Sequence, residues 1–356
     1  MSQKHQGTVL KVLHVTEAYA GGVKTALDGY VKLSVDVEHH IIWSARRHAG
    51  EVVSPDAKDF QSVKALPASH FRAVQAVISA IRELKPDVVH AHSSFGGVYG
   101  RLAAKILGVP VVYTPHGLAS ERKDVSPMAR KCYWLVEKLL SRLTTVNSGC
   151  STHEARLLAE LNLRTPNIMI PNALSRDGVK ELPQWEKPNG TQKKVCFVGR
   201  IAAARHPELA GEIARSLTER GIECIWIGDG ESTDREHLEA SGVGVLGWMQ
   251  RDDVFKTIAQ CDVAVHTSRW DGFPMSVLEY IHIGIPCVVS DIPALAECPR
   301  EARFSNPDEA VETILALIRG ELHPDWTSVR ETYSISSQRA GLLASYSEAS
   351  NEKVSA

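Results

Sequence analysis

The stretch SRWDGFPMSVLE, residues 268–279, joins a glycine turn to a helical pattern. Gly272 permits a sharp turn, and Pro274 suits the start of a helix that continues through residue 279. The first turn of a helix leaves backbone N–H groups without partners, and these groups attract an anion. Because proline has no N–H, three neighbouring residues would supply the donors: Phe273, Met275 and Ser276.

Two carboxylates flank this helix start, eight positions apart. Glu279 lies more than one turn into the helix, where a carboxylate can accept hydrogen bonds from two adjacent hydroxyls, as on a ribose. Asp271, ahead of the helix, could do the same for a hexose. The alternative is that Asp271 is a capping acid and Glu279 an exposed helical residue, and this stretch does not separate the two.

Two arginines lie five residues apart in VGRIAAARHP, where an apolar run ends. Arg200 directly follows that run, and Arg205 comes shortly before Pro207, a plausible first residue of the next helix. Each guanidinium presents a fork of donors that matches phosphate oxygens, so the pair could clamp a diphosphate from two sides. A pair of solvated loop residues is the alternative.

One histidine stands where a third apolar run ends. His116 follows VPVVYTP and precedes a glycine, so its ring is predicted to project from the edge of a sheet into a cleft. Hydrogen bonding to a sugar and acid–base chemistry both suit a histidine in that place. For His90 and His92, within VVHAH, a structural role is favoured.

Glycines mark further candidate contacts with a nucleotide. Gly21 and Gly22 open a helical pattern, where free N–H groups and absent side chains would admit a phosphate, although a plain tight turn fits equally well. Gly228 begins GDGE after another apolar run, and Met249 belongs to a backbone segment that could form the wall of a base pocket. Neither the dinucleotide fingerprint nor a P-loop is present in the sequence.

These residues need a scaffold, and the alternation of apolar β-branched runs with helical patterns predicts parallel βαβ units. The polar stretch 172–194 indicates a linker between two such series. Further short strands are predicted over Thr144–Asn147 and Asn167–Ile170. We therefore predict an α/β protein with two doubly wound, Rossmann-like domains, residues 1–175 and 176–332, that face each other across a cleft. Ligands bind at the carboxyl ends of the strands in such sheets.

The composition is that of a globular protein of 356 residues, with 44% hydrophobic and 23% charged residues. No apolar run approaches the roughly 18–20 residues of a spanning helix, and the start lacks the apolar core of a secretion signal, so a cytosolic location is predicted. The seven cysteines form no C-x-x-C pair, which argues against a disulfide framework and a metal site. Fifteen histidines leave room for a metal site that only the folded chain assembles.

Charge is unevenly distributed along the chain. Residues 1–180 carry 23 Lys and Arg against 15 Asp and Glu, whereas the remainder carries 17 against 27, so the first half is expected to face an anionic partner. Residues 120–142 mix lysines and arginines with Tyr, Trp and leucines and could rest on an anionic membrane surface. The alternative is an ordinary helix whose leucines face the core and whose lysines face water. No basic patch is interleaved with stacking aromatics on a recognisable module, which argues against nucleic-acid binding.

Together, YAGGV, VGR with its second arginine, GDGE, GW and TSRWDGFPMSVLEYIHIGIPCVVSD resemble glycosyltransferase family 4. The resemblance covers most of the chain, residues 12–291, and its spacing is specific. Where the family has two glutamates separated by seven residues, this chain has Asp271 and Glu279. Where the family has an arginine and a lysine separated by four residues, it has Arg200 and Arg205.

The resemblance implies a GT-B fold and a glycosyltransferase that retains anomeric configuration without a metal or other cofactor. It implies that both arginines neutralise the donor diphosphate and that Glu279 binds the ribose. It also implies that Asp271 contacts the donor sugar and that His116 approaches the reacting sugar. Residues 333–356 are similar to the closing helix of the family, which returns to the first domain.

The predicted reaction transfers a hexose from a nucleotide diphosphate sugar, a UDP-sugar favoured over GDP-mannose, to a saccharide acceptor. The acceptor is predicted to be lipid-linked, in bacterial cell-surface polysaccharide synthesis at the inner face of the membrane. Asp271 is one methylene shorter than the usual glutamate, which puts the donor sugar in doubt, and Arg205 keeps the charge of the usual lysine but not its geometry. A nucleotide-sugar epimerase or hydrolase and a catalytically silent sugar-nucleotide binding protein are the alternatives.

Overall fold

A computed structural model of the chain describes residues 9–44, 54–180 and 182–351, apart from the side chains of residues 176 and 177. The chain divides into two compact units. The described residues of Met1–Ser120, Met128–Asn172 and Ile335–Ala356 form the first unit, and those of Glu121–Pro127 and Ala173–Ser334 form the second.

The first unit is built on six strands, alternating with helices. The strands are β1 (Leu10–Thr16), β2 (Val37–Trp43), β3 (Ser62–Ala65), β4 (Val88–His92), β5 (Val111–Thr114) and β6 (Val146–Asn147). The helices between and after them are α1 (Gly21–Leu33), α2 (His70–Leu84), α3 (Ser94–Leu107), α4 (Pro127–Leu140) and α5 (Thr152–Leu161).

The second unit repeats this plan. Its strands are β7 (Lys194–Val198), β8 (Glu223–Ile227), β9 (Val243–Val245), β10 (Val263–His266), β11 (Cys287–Ser290) and β12 (Arg303–Phe304). Its helices are α6 (Arg176–Lys180), α7 (Pro207–Thr218), α8 (Ser232–Ala240), α9 (Arg251–Ala259), α10 (Met275–Ile283), α11 (Pro307–Arg319) and α12 (Thr327–Thr332).

The strands of the two sheets follow the same order when they are counted within each unit. The first runs β3-β2-β1-β4-β5-β6 and the second β12-β11-β10-β7-β8-β9, and neighbouring strands pair in parallel in both. Each order reverses direction between two central strands, β1 and β4 in one sheet and β7 and β10 in the other. The predicted pair of doubly wound α/β sheets is confirmed, and such reversal points are where open parallel sheets bind ligands.

A last helix, α13 (Ile335–Ser350), belongs to the first unit although it follows the second in the sequence. Its Leu342 and Tyr346 are fully buried in one cluster with Val12 and Val112 of the first sheet. A Cβ on Gly341 would lie 2.1 Å from the carbonyl oxygen of Met169. The helix backbone therefore packs directly on the chain that follows α5, and only glycine fits at that contact.

One predicted strand needs correction. Asn167–Ile170 is not a strand: it makes one isolated bridge to Asn147, because β6 is only two residues long and offers no ladder to extend. The predicted linker 172–194 begins where the two units meet in the sequence, and residues 186, 187 and 189–192 within it are exposed. Leu174 is buried in the core of the second unit, and the indole N–H of Trp185 donates to the Cys261 carbonyl at 2.7 Å.

We expect Gly341→Ala to destabilise the protein by roughly 1–3 kcal/mol, since the new methyl group meets a backbone carbonyl that cannot move aside. This loss opposes the gain of about 1 kcal/mol in helix propensity from the same change. Urea denaturation, monitored by circular dichroism, measures the free energy of unfolding. Ala344→Leu, on the exposed side of α13, is the control, and equal stability of both variants would contradict this packing.

Candidate active site

The predicted site residues Arg200, Arg205 and Asp271 lie where the strand order of the second unit reverses. The chain leaves β7 for the loop that holds Arg200 and Arg205, and it leaves the adjacent β10 for the loop that leads into α10. Since both strands are parallel, their carboxyl ends lie at one edge of the sheet. The two loops that the sequence analysis selected are therefore neighbours.

Glycine contacts fix the backbone of this edge. Gly199 and Gly228 have φ angles of 133° and 134°, which side chains rarely tolerate. A Cβ on Gly228 would lie 2.1 Å from the Gly199 carbonyl oxygen, and a Cβ on Gly230 would lie 1.9 Å from that of Ile201. The Gly228 N–H donates to the Gly247 carbonyl at 3.0 Å. The loops after β7, β8 and β9 thus touch backbone to backbone.

A hydrogen-bonded chain of side chains connects α10 to Arg205. Ser276 Oγ lies 3.3 Å from His266 Nδ1, and His266 Nε2 lies 2.8 Å from Ser268 Oγ. Arg205 Nη1 donates to Ser268 Oγ at 2.7 Å and also to Asp271 Oδ2. Burial and the nearby guanidinium hold the pKa of His266 well below its usual value, so this imidazole is neutral. This series of hydrogen bonds orients the guanidinium of Arg205.

Asp271 is engaged on both carboxylate oxygens. One oxygen pairs with the Arg205 guanidinium, and the other accepts the N–H of Gly272 at 2.8 Å. The side chains of Arg205 and Asp271 stay 26% and 16% exposed, which leaves both accessible from one side. The structure thus brings together the residue predicted to contact a sugar and one of the two predicted to contact a diphosphate.

Glu279 lies on the second turn of α10, with its side chain 15% exposed. Burial raises the pKa of this carboxyl to about 7, and Arg251, whose Nη2 is 3.7 Å from Oε1, opposes the rise. A carboxylate with so little water around it gains from any ligand that donates hydrogen bonds to it. Arg251 was absent from the sequence analysis.

The remaining candidates of this unit differ in exposure. Arg200 is exposed, while Met249, Met275 and Ser276 are partly buried. The Phe273 ring is 1% exposed and stacks on Tyr333 with centroids 3.7 Å apart, so its side chain belongs to the core. Helix α10 begins at Met275, directly after Pro274, as the sequence predicted to within one residue.

Two predicted site residues belong to the first unit. Gly22 is exposed in the first turn of α1. His116 is partly exposed, with a φ of 53°, and its Nε2 lies 3.1 Å from His92 Nδ1. One nitrogen of the ring thus contacts a neighbouring strand of its own sheet, and burial lowers the pKa of His116 to about 4. Glu154, which the sequence analysis missed, accepts the Gly117 N–H at 2.6 Å and so fixes the adjacent loop.

Within the described residues, three imidazoles of the first unit lie close enough to hold a metal ion: His14, His90 and His92. Each of their ring nitrogens has a hydrogen-bond partner, and His14 and His92 are partners of each other. His14 bonds to His92 and His39, and His90 bonds to Tyr346 and Thr114. His92 uses its second nitrogen for His116. An ion bound there would replace the contact between His14 and His92 and compete with the other hydrogen bonds.

Helix α4, within the basic stretch 120–142, turns one carboxylate inward together with Trp134, which packs against the core of the first unit. Glu137 is buried and accepts hydrogen bonds from Arg101 Nη2 and Tyr113 Oη, both at 2.9 Å. The outer face carries apolar residues that are exposed, among them Met128 (70%), Leu135 (49%) and Leu139 (61%). Exposed basic residues lie on or just after the same helix: Lys131, Lys138 and Arg142. The alternative in which the leucines face the core does not hold for Leu135 and Leu139.

The protein has two doubly wound units. The second unit carries arginines, the start of α10 and glycine loops near the reversal point of its sheet. These features define the class of this protein as an enzyme of the GT-B type. Residues 21–173 match the family model described as a glycosyl transferase 4-like domain. Residues 179–327 match the model described as glycosyl transferases group 1.

Individual relatives agree with these models. The chain is 29% identical over 245 residues to the UDP-Gal:alpha-D-GlcNAc-diphosphoundecaprenol alpha-1,3-galactosyltransferase of Escherichia coli, over 62% of each chain. It is 24% identical over 299 residues to an uncharacterized 41.2 kDa protein in the cps region of Klebsiella pneumoniae, over 81% of this chain and 83% of that one. The solved structure of Anabaena HepE with UDP and glucose has a TM-score of 0.69 at 16% identity, over 96% of this chain and 95% of that one.

The chain therefore belongs to the GT-B glycosyltransferases of the family 4 type. The predicted resemblance, fold and enzyme class are confirmed. Its relatives include an Escherichia coli protein named as an O-antigen biosynthesis glycosyltransferase.

The raised pKa of Glu279 gives stability a pH dependence. A carboxyl whose pKa is about 7 in the folded state and 4.5 in the unfolded chain favours the folded chain below pH 4.5, and this contribution is lost as pH rises through about 7. We expect Glu279→Gln to gain stability relative to the parent as pH increases from 5 to 8, by up to roughly 3 kcal/mol. Urea denaturation at both pH values measures this difference.

Glu236→Gln, at an exposed carboxyl on α8, is the control for the loss of one negative charge. A stability difference between Glu279→Gln and the parent that stays constant with pH would show that Glu279 is not the buried carboxyl described here.

Proposed function

We propose that this glycosyltransferase moves a hexose from a nucleotide diphosphate sugar, a UDP-sugar in preference to GDP-mannose, to a lipid-linked saccharide acceptor. The reaction retains anomeric configuration and needs no metal, and it serves the synthesis of a bacterial cell-surface polysaccharide. The observation that carries the proposal is the oriented Arg205 beside the start of α10, at the reversal point of the second sheet. The names of the relatives support the substrate class.

The chemical task is to stabilise negative charge on the departing nucleoside diphosphate. Arg205 is already held by Ser268 and Asp271, so it would lose little side-chain entropy when it meets a phosphate. Arg200, which is exposed on the same loop, supplies a second cation. The first N–H groups of α10, from Met275 and Ser276, add the positive end of the helix dipole. Preorganised donors of this kind lower the barrier because they need no rearrangement as charge develops.

Asp271 then has two functions. Its pairing with Arg205 sets the direction of the guanidinium, and its partial exposure leaves it able to accept a sugar hydroxyl. Glu279 accepts hydrogen bonds from the two ribose hydroxyls, because a buried carboxylate is stabilised by two hydrogen-bond donors. His116 contacts the reacting sugar from the first unit. Gly228, Met249 and Gly272 complete the donor site of the second unit mainly through backbone atoms, and Gly22 is the proposed phosphate contact of the first unit.

We expect Arg205→Ala to lower kcat about 10²- to 10³-fold, the usual cost of removing one preorganised donor from a developing charge. Arg200→Ala should lower it by less, since that side chain is not held in place. Released nucleoside diphosphate, measured across a panel of nucleotide sugars with a lipid-linked acceptor, gives the rate, and NMR of the product gives its anomeric configuration. Arg319→Ala, at the exposed end of α11, is the control.

Parent-like turnover by both Arg200→Ala and Arg205→Ala would remove this site assignment. Release of free sugar or of an epimerised nucleotide sugar, with no saccharide product in the presence of acceptor, would replace transfer with hydrolysis or epimerisation.

The lipid-linked acceptor implies contact with a membrane, and α4 suits that contact. Its outer face combines exposed leucines with exposed lysines, as an interfacial helix requires. No helix among the described residues is long and apolar enough to cross a bilayer. Surface association through α4 is therefore the proposed mode of access to the acceptor.

We expect the parent chain to float with vesicles that contain anionic lipid, and the double variant Leu135→Glu/Leu139→Glu to remain at the bottom of the gradient. Two carboxylates on this face both lose apolar contact and oppose the surface charge. Leu163→Glu, at a side chain that is 90% exposed elsewhere in the first unit, is the matched control. Equal flotation of the double variant and the control would remove α4 as the membrane contact.

A further inference from the structure

Five histidines lie on one side of the first sheet, across four neighbouring strand positions. His39 belongs to β2, His14 to β1, His90 and His92 to β4, and His116 follows β5. All except His116 are buried. Helices α1 and α13 cover them: the Tyr30 ring stacks on His90, and Tyr346 Oη bonds to it. Four of the five, His39, His14, His92 and His116, form what we call the histidine chain.

Each contact in the histidine chain joins Nε2 of one ring to Nδ1 of the next. His116 Nε2 lies 3.1 Å from His92 Nδ1, and His92 Nε2 lies 3.0 Å from His14 Nδ1. His14 Nε2 lies 2.9 Å from His39 Nδ1. The far end of the chain is His39 Nε2, which lies 2.9 Å from Ser34 Oγ and 3.3 Å from the Ser34 carbonyl oxygen.

The last contact decides where the protons are. A carbonyl oxygen only accepts, and Ser34 Oγ already donates its single proton to the Tyr30 carbonyl at 2.6 Å. His39 Nε2 must therefore carry a proton. Burial lowers the pKa of His39 and His116 to about 4 and the pKa of His14 and His92 well below the usual value, so all four rings are neutral. A neutral imidazole has one donor and one acceptor nitrogen, so the orientation at His39 is passed to each following ring.

We propose that the histidine chain fixes the tautomer of His116, which donates from Nε2 to His92 and keeps its Nδ1 lone pair for a ligand. His92, His14 and His39 are thus positioning residues for His116. Resting on the function proposed above, the ligand at Nδ1 is a sugar hydroxyl, which donates its hydrogen bond to His116. The histidine chain does not conduct protons, because its far end meets the Ser34 carbonyl, which only accepts, and the Ser34 hydroxyl, whose proton is already donated to Tyr30.

The protein with ¹⁵N-labelled histidine tests this assignment directly. Long-range ¹H–¹⁵N correlation spectra at pH 7 distinguish protonated from unprotonated ring nitrogens, and single substitutions assign the rings. We expect protonated Nε2 and unprotonated Nδ1 in all four residues. A proton on Nδ1 of any of them would overturn the proposal. Spectral changes at His14 and His92 after treatment with a chelator would also overturn it, since they would show a bound ion in place of the chain.

Substitutions at the far end test the directionality. His39→Leu removes the acceptor of the His14 Nε2–H, and because a buried orphan N–H is rarely tolerated, the three remaining tautomers should reverse, so that His116 carries its proton on Nδ1. His39→Asn places an amide oxygen near the position of Nδ1 and should keep the parent tautomers. His40→Leu alters a buried histidine of the same strand that bonds elsewhere, to Ser62 and Glu38, and is the control.

Should His39→Leu fail to fold, His92→Leu tests the contact that adjoins His116, and His116 should then lose its single tautomer. Unchanged His116 signals in whichever of these two variants folds would overturn the proposal. These spectra do not depend on turnover. A protein with the expected tautomers and no transferase activity would therefore contradict the proposed function while leaving the histidine chain intact.

Discussion

A polar side chain buried at the end of a parallel strand must find a partner, because burial removes the water that would otherwise satisfy it. Both units of this chain meet that constraint by linking polar side chains across neighbouring strands. In the second unit the link runs from Ser276 through His266 and Ser268 to Arg205. In the first it runs through four imidazoles to Ser34. The orientation of the residues proposed to meet substrate depends on these links.

The two links differ in what they carry. The second-unit link ends on a guanidinium that keeps its charge, so it delivers a cation to the edge of the sheet. The first-unit link contains only neutral rings, so it fixes the hydrogen-bond direction at His116 without adding a charge. For a transfer in which negative charge grows on the departing diphosphate while the sugar hydroxyls stay neutral, this division is chemically consistent with the proposed roles.

Much of the fold follows from the sequence, because long apolar runs that alternate with helical patterns admit few arrangements other than parallel sheets. Short elements such as β3 and β12, of four and two residues, carry too little pattern to be recognised alone. The start of α10 was predictable because glycine and proline act locally. The pairing of Asp271 with Arg205 was not, since it joins residues that lie 66 positions apart. The outward leucines of α4 were also beyond sequence periodicity, because a buried Arg101 draws Glu137 to the inner face.

The glycine contacts of the second unit also limit how this enzyme can diverge. With the loops after β7, β8 and β9 touching through backbone atoms, most side-chain replacements at those glycines would push the loops apart rather than reshape the site. Under the proposed function, a new donor preference would arise at positions that project side chains beside these loops, such as Asp271 and Met249. Laboratory selection for altered sugar use would reach useful variants sooner with a library restricted to such positions than with one spread over the loops.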